Sequence, residues 1–112
     1  MTLDEFENQV ISACAASPIV VSVAVIGSGI TWMRFRAYLI EESFIEAFCN
    51  EATRKIAFSY IKDGNRIFGA DNTGGWHWHP MDAPEKHIHI EEAVAFPEFL
   101  QRVEEDPQLK GS

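Results

Sequence analysis

Five β-type segments lie between Ile19 and Asp71, joined by connections of only two to four residues. Ile19–Ile26, Ile30–Ile40, Ser43–Asn50, Lys55–Lys62 and Asn65–Asp71 are rich in the β-branched and aromatic side chains that suit a pleated surface. Gly27-Ser28-Gly29, Glu41-Glu42, Glu51–Arg54 and Asp63-Gly64 separate them, the last a strong local hairpin signal. Connections this short join antiparallel neighbours, because a parallel pair needs a crossover of about a dozen residues. The chain is thereby held to a meander of about five antiparallel strands.

Alternation assigns faces. In the second segment Ile30, Trp32, Arg34, Arg36 and Tyr38 point one way, and Thr31, Met33, Phe35, Ala37 and Leu39 the other. If Asp63-Gly64 alone forms its loop, Tyr60 falls opposite Ile67 and Ile56 opposite Asp71; a three-residue loop would shift that register. A helix is expected at each end. Thr2-x-x-Glu5 has capping-box spacing before Leu3, Phe6, Val10 and Cys14, and Ser17-Pro18 ends that run. Phe96, Phe99, Leu100 and Val103 recur at helical intervals after an early Pro97, and Asp106-Pro107 stops them before a frayed tail. The expected fold class is α+β, a single domain over 1–112, whose two helices cover one sheet face and leave the other for a site.

Charge narrows the function classes. The net charge of −8 opposes nucleic-acid binding at first sight, but 1–29 hold three acids and no base, and 91–112 six acids and two bases. The middle, 30–90, carries seven Lys/Arg against eight acids, and all four histidines. Ile19–Ile26, the most apolar run, is far short of the roughly 20 residues of a membrane span. The acidic start Met1-Thr2-Leu3-Asp4-Glu5 is unlike a signal peptide, and Cys14 and Cys49 read as buried thiols, so a cytoplasmic protein is expected.

From Asn72 to about His89 the regular pattern fails, and the segment gathers Trp76, His77, Trp78, His79, His87 and His89. In extended chain, residues i and i+2 share a face, so each His-x-His pair presents two imidazoles to one point. One use is a transition metal such as zinc, held by His77, His79, His87 and His89 with Asp71 or Glu85 in support. The other is metal-free acid–base chemistry on RNA, in which imidazoles move protons and cations steady the phosphorane. There His79 and His87 are the candidate acid–base pair, with Asp71 orienting an imidazole. Arg34, Arg36, Lys55 and Arg66 are the candidate phosphate ligands, and Tyr60 or Trp76 would stack a base. A third use is structural, an aromatic plug closing the sheet.

The run Tyr60-Ile61-Lys62-Asp63-Gly64-Asn65-Arg66-Ile67-Phe68-Gly69-Ala70-Asp71-Asn72, followed by a His-rich, Pro-containing segment and a short terminal helix, resembles the TumE-type toxin family. The resemblance runs over about residues 30–105. It matches Arg34 and Arg36 to a basic strand, Tyr60 to a tyrosine of the penultimate strand, Asp71-Asn72 to an Asp-Asn, and His77, His79 and His87 to clustered histidines. It implies a ribonuclease toxin acting on RNA, partnered by a helix-turn-helix antitoxin. The acid–base reading needs no cofactor, and oligomerisation is open, since a strand such as Ile19–Ile26 could pair between subunits or lie inside the sheet. The family's Asp-Asn-x-Pro-His-His is here Asp71-Asn72-Thr73-Gly74-Gly75-Trp76-His77-Trp78-His79-Pro80. Its Phe-Pro-x-His-Lys-His is Ala83-Pro84-Glu85-Lys86-His87-Ile88-His89, with a glutamate where a histidine might stand.

Overall fold

The computed structural model describes residues 1–81, 83 and 85–107; Pro84 and the tail expected to fray, 108–112, lie outside these. Helix α1 (Leu3–Ala16) begins on the capping box: Thr2 accepts from the Glu5 backbone N–H, and the Glu5 carboxylate from the Thr2 N–H. Strands β1 (Val20–Ser28), β2 (Trp32–Leu39), β3 (Ser43–Asn50), β4 (Lys55–Lys62), β5 (Asn65–Asp71), β6 (Trp76–His79) and β7 (Ile88–Ile90) follow, then helix α2 (Phe96–Glu104). The strands form one antiparallel sheet in chain order. The meander stands, but the sheet has seven strands among the described residues rather than about five. The added pair, β6 and β7, comes from the His-rich segment expected to be irregular. In β6 the alternation Trp-His-Trp-His sends tryptophans to the helix side and histidines to the other.

Both turns bear out the hairpin signals, one of them longer than two residues. Asp63 and Gly64 take φ of 53° and 78°, the left-handed pair of a two-residue hairpin between Lys62 and Asn65. Glu41 and Glu42 also take positive φ, 63° and 55°, but sit in a 3-10 turn over Ile40–Glu42, and Tyr38 pairs with Phe44. Gly27-Ser28, expected in a turn, instead lies inside β1.

One face of the sheet is covered by both helices. Phe35, Ala47, Phe58, Ala70 and Trp78 are successive cross-strand partners, all buried. Phe58 is the hub: its ring centroid lies 5.4 Å from Phe99, 5.7 Å from Phe96, 6.3 Å from Phe6 and 6.4 Å from Trp76, joining both helices to the sheet. Cys14 and Cys49 are buried free thiols.

Tyr60 belongs to this core. It is 0 % exposed, and its hydroxyl donates to Asp106 Oδ2 at 2.9 Å just past α2, so it cannot stack a base on the open face. Burial, offset by a Ser43 hydrogen bond and reinforced by Asp106, pushes the phenol up from 10 to about 12. A raised phenol stabilises the fold fully below its unfolded pKa and loses that contribution as pH rises through the folded value. That loss is on the order of 2–3 kcal/mol between about pH 10 and 12. Thermal melts by circular dichroism at about pH 9.5 and 11.5 are expected to show a steep drop for the native chain. Tyr60→Phe, which starts lower, is expected to lose much less over the same interval.

Candidate active site

A β-bulge determines which face receives Asp71. Lys62 pairs with Asn65 and Ile61 with Arg66, but Tyr60 then pairs with Phe68, leaving Ile67 as the extra residue. The direct register, with Tyr60 opposite Ile67 and Ile56 opposite Asp71, is thus displaced by one. Uninterrupted, it would have turned Asp71 into the helix-covered core and Phe68 and Ala70 to solvent. The bulge instead buries Phe68 and Ala70 and places Gly69 and Asp71 on the open face.

Onto that face β6 delivers His77, opposite Asp71, and His79, opposite Gly69. His79 Nε2 lies 2.8 Å from Asp71 Oδ2. A Cβ at Gly69 would sit 3.5 Å from His79 Cδ2 and only 3.2 Å from Arg66 Cδ, so the bare glycine gives room to the ring and to the Arg66 stem. Burial alone would raise the Asp71 carboxyl. The His79 hydrogen bond, the Thr73 backbone N–H and the His79 and Lys55 charges outweigh that and hold it below its ordinary value.

The other imidazoles close around this pair. His87 packs edge-on against His79 at 4.5 Å between centroids, and His77 lies 5.8 Å from His87 and 5.3 Å from His89. β7 brings His89 opposite His77, and Gly75, at φ 104°, makes space: a Cβ there would lie 2.9 Å from His89 Cε1. His87 and His89 are exposed and His77 half-buried, whereas His79 is 2 % exposed. With its proton on Nε2, His79 donates to Asp71, and its buried Nδ1 has no hydrogen-bond partner among the described residues. His79, expected to be one of the acid–base pair, thus sits behind the exposed imidazoles. Among the described residues no three His, Cys, Asp or Glu side chains are arranged to hold a metal ion; the rings meet edge to face.

The cations divide into two groups. Arg66 passes over Gly69 toward the histidines, and Lys55 Nζ donates to Thr73 Oγ1 beside Asp71. Arg34 and Arg36 share the open face on β2, two strands from Lys55 and four from the β6 histidines. Arg34 lies over the Phe48 ring at 5.0 Å, while Arg36 is engaged by Glu46 Oε1 at 2.5 Å and packs over Phe44 at 4.2 Å. A hollow of about 280 Å3 lined by Arg34, Glu46, Phe48, Lys55, Ala57 and Ser59 lies on the Arg34 side of the histidines.

Two further candidates do not join the group. Trp76 is on the helix side, stacked on Phe58. Asn72 is a structural clasp: its Oδ1 accepts from the Ile56 N–H at 2.9 Å and its Nδ2 donates to the Arg54 carbonyl at 2.7 Å. Sequence reasoning missed the floor of the hollow. Its signal was the small Ala57 and Ser59 alternating with the large Phe58 and Tyr60 along β4. It also missed Glu46, which competes with any phosphate for Arg36.

No protein-family model, curated protein or solved structure matches the chain, so the site is read from its own geometry. Among the described residues no helix is long and apolar enough to cross a membrane.

Proposed function

We propose that this chain is a toxin-type ribonuclease that cleaves RNA by metal-independent acid–base catalysis on its open sheet face. The observation that carries the reading is the convergence of all four imidazoles on one face, with one of them held by a carboxylate at 2.8 Å. In the proposed reaction one exposed imidazole takes the 2′-hydroxyl proton, the 2′-oxygen attacks phosphorus, and the P–O5′ bond breaks as a second imidazole protonates the leaving oxygen. The products are a 2′,3′-cyclic phosphate and a 5′-hydroxyl. His87, exposed, and His77, half-buried with its ring 5.8 Å from that of His87, fit these roles. The Asp71–His79 pair backs His87 and fixes its position, and Arg66 and Lys55 supply positive charge for the phosphorane. The hollow beside Arg34 is suited to a neighbouring nucleotide. RNA as substrate and a helix-turn-helix antitoxin as partner, both implied by the TumE-type resemblance, are consistent with an activity in the cytoplasm.

The test is cleavage of a mixed-sequence RNA in EDTA with mapping of product ends. Native protein is expected to leave 2′,3′-cyclic phosphates, and His79→Ala, which removes the support behind His87, to lose most of that activity. Intact RNA in EDTA that is cleaved when zinc is added would transfer the site to metal chemistry. Intact RNA under both conditions would overturn the ribonuclease reading.

A further inference from the structure

Among the described residues β1 is one edge of the sheet, with β7 the other. Val20–Ser28 carries no charged residue, and the uncharged stretch around it extends over 8–33 in a chain of net charge −8. Natural edges are commonly guarded by lysines, prolines, bulges or short length. This one is nine residues long, with Val21 69 %, Val25 48 % and Ile26 40 % exposed. Its register with β2 slips between Val20 and Ser22 and again between Val25 and Gly27, so Val21 and Ile26 are bulged residues and Ser22–Val25 between them is regular strand. Beside it, a groove of about 330 Å3 runs between β1 and α1, lined among others by Ile11, Ala15, Val21 and Val23, and Ile11 is 43 % exposed.

We propose that this edge is the interface of a two-fold homodimer in which β1 pairs antiparallel with β1 of a second copy, continuing the sheet across both. Three observations select a second copy as the occupant. First, the β1 edge lacks charge, so two like-charged chains approach there without local repulsion, while a basic partner would find no counter-charge on it. Second, the opposite edge, β7, has only three residues, so head-to-tail β1–β7 pairing would gain little and would not close, whereas β1–β1 pairing closes on itself. Third, the area suffices. Nine extended residues span about 30 Å, and one sheet plus one helix layer is roughly 20 Å deep. That gives about 600 Å2 on each copy, within the range of specific interfaces. The pairing brings α1 of each copy alongside the other, covering Ile11 and the groove.

Sedimentation equilibrium or light scattering of the full chain over about 1–100 µM tests this. A species of about 25 kDa, twice the 12.6 kDa chain, is expected. Val21→Lys/Val25→Lys, which charges two exposed side chains and disturbs no buried one, is expected to give a monomer. Circular dichroism of that variant is expected to stay unchanged. Two results would overturn the proposal: a native monomer at 100 µM, leaving the edge to another protein's strand, or a double-lysine variant that remains dimeric, placing the contact elsewhere. Both readouts are independent of RNA cleavage.

Discussion

His87→Ala is expected to reduce RNA cleavage in EDTA by about 10²–10⁴-fold, the range for removing a general acid or base, while leaving the melting temperature unchanged. The second half of that expectation follows from exposure: His87 touches the site by its ring contacts with His77 and His79 and buries little of itself. Imidazole added to the buffer is expected to restore part of the activity, since it can enter the space left by the ring. Asp71→Asn provides the contrast. It keeps the shape of the side chain but removes the negative charge that His79 faces at 2.8 Å, so kcat should fall by a smaller factor with KM held. An unaltered rate in His87→Ala would remove the exposed imidazoles from the chemistry. An equal loss of rate and of melting temperature would make the cluster a structural plug.

The histidine cluster was legible as a concentration of residues, and Asp71 as a carboxylate to orient one of them, but the register that brings the two together was not. The hairpin rule applied to Asp63-Gly64 pairs Ile56 with Asp71, on the core side. The hydrophobic pattern of β5 contradicts that, because Phe68 and Ala70 are the residues that belong inside. Turn geometry and side-chain pattern disagree by one residue, and a bulge at Ile67 satisfies both. The conflict was visible in the sequence; the bulge that resolves it was not drawn from it. β6 and β7 were illegible for another reason. Strands of four and three residues have no stability of their own and form only because β5 offers an edge. Tyr60 was misplaced because an amphipathic ring reads equally well as a stacking platform or as a buried donor, and its Asp106 acceptor lies 46 residues away.

The other large effect expected is on stability, at Phe58. Phe58→Ala is expected to cost about 3–5 kcal/mol, the range for deleting a buried aromatic ring, and to lower the melting temperature by roughly 12–30 °C in a chain of this size. The position matters more than the residue type. Phe6 comes from α1, Phe96 and Phe99 from α2, and Trp76 from β6, and all four meet the one ring. A cavity there cannot be closed by moving one element without pulling it from the others, so the cost should fall at the upper end. The same ring links the core to the open face, since Trp76 and Trp78 hold β6 from the helix side while His77 and His79 project from its other side. Losing Phe58 should therefore loosen β6 before the whole sheet unfolds, and hydrogen exchange of the β6 amides should accelerate more than that of β2 and β3. Phe58→Leu, which keeps most of the apolar volume, is expected to recover the larger part of the loss. If Phe58→Ala instead melted within a few degrees of the native chain with β6 protected, α2 and β6 would be held by contacts other than this ring.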